Sequence, residues 1–93
     1  MPGPIGWIVR SGAGHDKGTL MCVVGGEGAF LLLADGKRRR LASPKRKKRV
    51  HVDVEDEGSF VHPALEDLRR GVPVTDRSLR RALAAFRDES RRV

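Results

Sequence analysis

Apolar side chains recur at every second position in the N-terminal half of the chain and at helical spacing in the C-terminal third. Ile5, Trp7 and Val9 alternate with Gly6, Ile8 and Arg10, which predicts a strand largely buried on both faces. The loop Ser11-Gly12-Ala13-Gly14-His15-Asp16-Lys17-Gly18 separates it from a second strand over Thr19–Val24. Gly25-Gly26-Glu27-Gly28 predicts a turn, because glycine supplies backbone angles that other residues resist. Ala29–Ala34 is a short, continuous apolar run, the pattern of a strand covered on both sides. Asp35-Gly36 is the strongest local hairpin signal, a type I′ turn with φ > 0 at both central positions. Its return strand is expected over Lys37–Leu41, closed by Pro44. Val50, Val52 and Val54 alternate with His51 and Asp53, suggesting a fifth strand. Five short strands within ~50 residues cannot leave wide edges unprotected, and closure into a small barrel removes them.

The period changes after the acidic residues that follow. Pro63 near a helix start, acids early, Arg69 and Arg70 late and Gly71 after the end predict a first short helix. Thr75 is placed to cap a second, running to about Ser90, with Leu79, Ala82, Leu83 and Phe86 on one face. That stripe packs onto the strands or onto a protein partner. Arg77, Arg80, Arg81, Arg87 and Arg91 occupy much of the remainder. The expected fold is therefore mainly β with a helical tail, a five-stranded barrel followed by two short C-terminal helices. The expected division is residues 1–54 for the barrel with its basic hairpin, and 55–93 for an acidic linker and helical extension.

Charge sharpens this division. Residues 34–52 carry nine Lys or Arg against Asp35 alone, residues 53–67 carry six acids and no Lys or Arg, and residues 68–93 carry eight Arg against three acids. The net charge of +7 thus conceals two basic blocks separated by an acidic one, which points to a polyanionic partner more strongly than the total does. With 93 residues the core is small, so a binding module is expected rather than an enzyme with a deep catalytic cleft. No Ser/His/Asp or paired-carboxylate arrangement can be singled out, and no cofactor is implied. His15, His51 and His62 fit no zinc spacing, and the single cysteine, Cys22, completes no structural metal site. Cys22 lies in an apolar strand pattern, which fits a core side chain in a reducing cytoplasm. The first ten residues read neither as a signal peptide nor as a membrane span.

The segment Ile5–Val24 resembles a KOW motif, in which two apolar strands flank a G-x-D-K-G-like element, here Gly14-His15-Asp16-Lys17-Gly18. Leu33-Ala34-Asp35-Gly36, then Arg40-Leu41, Pro44-Lys45-Arg46-Lys47-Lys48 and Val50-His51 extend the similarity. Over residues 5–52 the chain is similar to the bacterial KOW domain-containing RNA-binding proteins. That family is related to the fourteen-e class of archaeal and eukaryotic large-subunit ribosomal proteins. The resemblance implies an SH3-like barrel and binding of rRNA or the ribosome, without catalysis. KOW barrels also occur in transcription-elongation factors, so a protein-interaction module of the transcription or translation machinery is the alternative. Its contact would run through Leu79, Leu83 and Phe86.

The main candidates for phosphate contact are Lys37, Arg38, Arg39, Arg40, Lys45, Arg46, Lys47, Lys48 and Arg49. Crowded cations repel one another, and a phosphate backbone relieves that repulsion while releasing counterions. The hairpin carrying them is expected to protrude. The alternative is a solvated charged loop, or an electrostatic mate for the acidic block. In the glycine-rich loop, Gly12, Gly14 and Gly18 shape a tight curve that brings Arg10, Ser11, His15 and Lys17 near an anion. A loop that merely turns the chain is nearly as good a reading. Trp7 and Phe30 sit in strand patterns and are expected in the core. Recognition of folded RNA by shape and backbone is therefore favoured over base stacking.

Overall fold

The period-two segments are strands and the helical-period segments are helices in the computed structural model, which describes residues 3–12 and 17–91. The order is β1 (Ile8–Ser11), β2 (Leu20–Glu27), β3 (Phe30–Ala34), β4 (Lys45–Lys48), a 3₁₀ turn (Arg49–His51), β5 (Val52–Asp56), α1 (Pro63–Arg70) and α2 (Asp76–Ser90). All pairings are antiparallel and the strand order is β4-β3-β2-β1-β5. The ladder does not close where closure was expected, because β4 and β5 remain its two edges. The sheet is nonetheless strongly curled. Lys47 Nζ on β4 donates to Ser11 Oγ on β1 at 2.6 Å, although three strand spacings of a flat sheet amount to about 14 Å.

Several boundaries differ from those expected, each for a local reason. β2 runs through Gly25 and Gly26 to Glu27, and the hairpin turn is Gly28-Ala29. A bulge opens between Val23 and Gly25, and the absent Cβ of Gly25 makes room for Leu32. The return strand to β3 is Lys45–Lys48, not Lys37–Leu41. The Asp35 carboxylate accepts from the backbone N–H groups of Lys37 and Arg39, both at 2.9 Å, and Asp76 Oδ1 accepts from Leu41 N at 2.8 Å. Side chains thus take the N–H groups that a strand over 37–41 would have offered to β3. Of Asp35 and Gly36 only the glycine has positive φ, +78°, so the turn is not type I′. β5 starts two residues later than expected and contains Glu55 and Asp56, so the expected boundary at 54/55 falls inside a strand.

Alternation sorts the core into two layers. Ile8, Leu20, Cys22 and Ala34 face the helices and pack with Ala64, Leu65, Leu79, Ala82 and Leu83. Val9, Met21, Val23, Leu31 and Leu33 point to the other, concave side. Ile8 and Val9 are both fully buried, as the first strand predicted. The helices begin and end where the sequence places them. His62 Nδ1 accepts from Ala64 N ahead of Pro63, Gly71 ends α1 at φ +73°, and Thr75 Oγ1 accepts from Ser78 N at 3.1 Å. Leu79 and Leu83 are buried against the sheet, and Phe86 meets Phe60 edge-on at 5.3 Å. The stripe suggested for a protein partner is therefore consumed by the core. Burying each leucine contributes about 2 kcal/mol. No helix among the described residues is long and apolar enough to cross a membrane.

Candidate nucleic-acid interface

The basic run is itself a strand. Register with β3 places Lys45 and Lys47 opposite Leu33 and Leu31, and Arg46 and Lys48 opposite Leu32 and Phe30. Directly opposed residues share a face, so β4 shows cations to both sides of the sheet edge. On the outer side Arg46 and Lys48 are exposed, and the Arg46 guanidinium lies 3.7 Å from the Phe30 ring centroid. Phe30 is thus a half-buried platform under an arginine and belongs to neither core layer. On the inner side Lys45 and Lys47 are half-buried, and Lys47 is held on buried Ser11. Arg49 follows, its guanidinium 5.7 Å from the Trp7 ring centroid. From Lys45 to Arg49 the track spans about 13 Å at strand rise.

The remaining candidates fall at the other end of β4. Lys37, Arg38 and Arg40 are exposed and Arg39 is half-buried. Their loop does not protrude. Arg80 Nη1 donates to Gly36 O at 2.6 Å and Asp76 holds Leu41 N, so the loop lies against the first turns of α2. This docking brings Lys37 beside Arg80 and Arg87 on a shallow cleft of about 160 Å³. Arg80 and Arg87 were expected on the outward face of an arginine-rich helix that could add a second RNA contact. The signal for their joint position was their spacing of two helical turns beside the apolar stripe.

In the glycine-rich loop, Gly14 and His15 lie outside the described residues. The base of the loop is closed by Gly18 N on Ser11 O at 2.7 Å and Arg10 Nη1 on Gly18 O at 2.9 Å. Gly12 N donates to His51 O at 2.8 Å, an approach that a Cβ on Gly12 would crowd. Gly18 has φ +83°. Lys17 is exposed, whereas Ser11 is buried and cannot meet RNA. Arg10 also faces Glu55 at 3.7 Å. No protein-family model matches the chain, and no curated protein matches it. What the surface does must be read from its own chemistry.

That chemistry is polarised. Edge β4 carries four cations in four residues, and the opposite edge β5 carries Asp53, Glu55 and Asp56. Half of the block's acids therefore lie in a strand rather than a linker, with Glu57 just beyond it and Glu66 and Asp67 on α1. In the described ion pairs, Glu55 meets Arg10 and Asp67 meets Arg70, cations outside the 37–49 segment. Asp56 serves the fold. Partial burial raises its pKa, but hydrogen bonds from the Ser59 hydroxyl and the backbone N–H groups of Phe60, Gly58 and Ser59 outweigh this, and the net shift is downward. Cys22 is buried, and desolvation pushes its thiol up to about 12 despite nearby Arg69. His51 is exposed on the 3₁₀ turn, and His62 is committed to capping α1.

Proposed function

We propose that this chain is a non-catalytic, cytoplasmic RNA-binding protein, with ribosomal RNA or the ribosome as its first candidate partner. The curled sheet is read as a KOW-type, SH3-like barrel whose edge β4 lies along the phosphate backbone. One observation carries this reading. The densest cationic segment of the chain is ordered as one edge strand with its charges on both faces, while acids gather on the other edge strand of the curled sheet. A strand fixes the backbone spacing of these cations, and the acidic β5 repels the same ligand, so a polyanion is oriented as well as attracted. The Arg46–Phe30 pair presents a planar fork, suited to bidentate phosphate contact.

Filter binding to rRNA fragments at rising salt tests it. Four to six phosphate contacts to single-strand-like RNA predict that log K falls with log salt at a slope of roughly −3 to −4. The double variant Arg46→Glu, Lys48→Glu is expected to lose binding while its unfolding midpoint stays put. A flat salt response, or unchanged affinity in that variant, sinks the reading. Lys47 is unsuitable for this test because its ammonium is part of the fold.

A further inference from the structure

Beside the end of the basic track lies a cavity of about 460 Å³, lined by Gly3, Ile5, Trp7, Glu57, Gly58 and Arg69. From its walls, we infer that it accepts a single unstacked guanine base of the bound RNA. The inference rests on the RNA-binding reading above and gives it a base-specific element.

The site is built rather than incidental. Arg69, on α1, crosses to the segment before β1, where its Nη2 donates to Gly6 O at 3.3 Å. It fits there because Gly6 leaves space, while Gly58 closes the wall at ordinary contact distance. A Cβ on Gly6 would stand 2.6 Å from Arg69 Nε, and one on Gly58 would stand 3.6 Å from Arg69 Nη2 and 3.9 Å from Trp7 Cδ1. Both glycines hold positive φ, +90° and +96°. The indole of Trp7 packs partly on the concave core layer yet stays half-exposed. It is not the wholly internal side chain that its strand pattern predicted.

The wall chemistry selects the ligand. An indole offers a stacking surface for any base. Glu57 and Arg69 face the same cavity with no ion pair between them, so an acceptor and a planar donor fork remain for a ligand. Gly6 O takes one of the five guanidinium donors. Guanine presents O6 and N7 as paired acceptors for such a fork. Its N1–H and N2–H groups form a donor pair for a carboxylate, which adenine and uracil lack. The cavity volume lies within the usual range for small-ligand sites, about 300–1,000 Å³. Phosphate contacts lead to it, since Arg49 ends the β4 track beside the Trp7 ring.

The chain has one tryptophan, so its fluorescence reports on this ring alone. The full-length protein is titrated with GMP, AMP and UMP, and with short oligoadenylates containing or lacking one central guanosine. Saturable quenching by GMP is expected, with the guanosine oligomer bound roughly tenfold tighter than plain oligoadenylate. Glu57→Gln should erase that preference yet keep salt-dependent rRNA binding. The Arg46→Glu, Lys48→Glu variant should lose rRNA binding yet keep the GMP quench. Equal response to all three nucleotides, or rRNA binding with no guanosine preference, overturns the base site while leaving the RNA reading intact. No binding of any RNA overturns both.

Discussion

Replacing Gly36 by alanine should undock the 35–41 loop from α2, and the structure sets how much that costs. Gly36 is buried with φ +78°, and a Cβ there would overlap the Asp76 carbonyl oxygen, a backbone atom in the first turn of α2. The left-handed conformation alone costs an alanine about 1 kcal/mol. The overlap can be relieved only by moving the loop away. That movement breaks Arg80 Nη1 to Gly36 O at 2.6 Å and Leu41 N to Asp76 Oδ1 at 2.8 Å. Each involves a charged partner and contributes about 1.5–3 kcal/mol. The two losses are coupled, so the total should be about 3–5 kcal/mol. A chain of 93 residues has a stability of about 5–14 kcal/mol at typical values per residue. Gly71→Ala is the control, because Gly71 has φ +73° with nothing within 4 Å of a Cβ. It should cost only the conformational share, about 1 kcal/mol. Urea unfolding followed by circular dichroism at constant m-value measures both. If the two variants lie within about 0.5 kcal/mol of each other, docking of the loop on α2 carries none of the energy assigned to it.

Lys47→Glu should destabilise the fold by about 1–3 kcal/mol, since it removes the donor to buried Ser11 and sets a carboxylate near that hydroxyl; an unchanged urea midpoint would contradict this. Asp56 has a folded pKa below its unfolded value of about 3.9. Its contribution is therefore complete above that value and is lost as pH falls through the folded pKa. Asp56→Asn should accordingly lower the urea midpoint at pH 7 and flatten its fall between about pH 5 and pH 2. With its thiol at about 12, Cys22 should react with a disulfide reagent at pH 8 about a thousandfold more slowly in the native state than in urea. Rapid native labelling would mean that the sheet–helix core opens readily. Leu83→Ala should cost about 2–5 kcal/mol in thermal or urea unfolding; a neutral outcome would return that side chain to the surface.

The helices were legible because their signals are local. Thr75 lies three residues before Ser78, Pro63 opens α1 and Gly71 ends it, and each works through atoms within one turn. The first strands were legible because Ile8, Val9 and Leu20–Val23 are apolar on both sides. β4 was not, since Lys-Arg-Lys-Lys has neither alternation nor β propensity. Its strand state comes from pairing with β3, once Asp35 and Asp76 have absorbed the N–H groups of the nearer segment. Of the candidate site, the basic residues were visible as a set, but their division of labour was not. Nothing local separates Lys47, which is tied to Ser11 from 36 residues away, from Arg46 over Phe30. The Trp7 cavity depends on an arginine that meets Gly6 across 63 residues.

The place of β4 at the sheet edge has a further consequence, for solubility. An edge strand exposes unpaired backbone N–H and C=O groups that another chain can copy, and charged side chains are a common guard against this. The row Lys45–Lys48 thus keeps two copies of the chain from joining their sheets, by like-charge repulsion. Neutralising those side chains lifts the guard as surely as it would remove the proposed attraction for RNA. A charge-stripped β4 should therefore favour self-association, and substitutions that keep the chain monomeric there need to replace the charge rather than delete it.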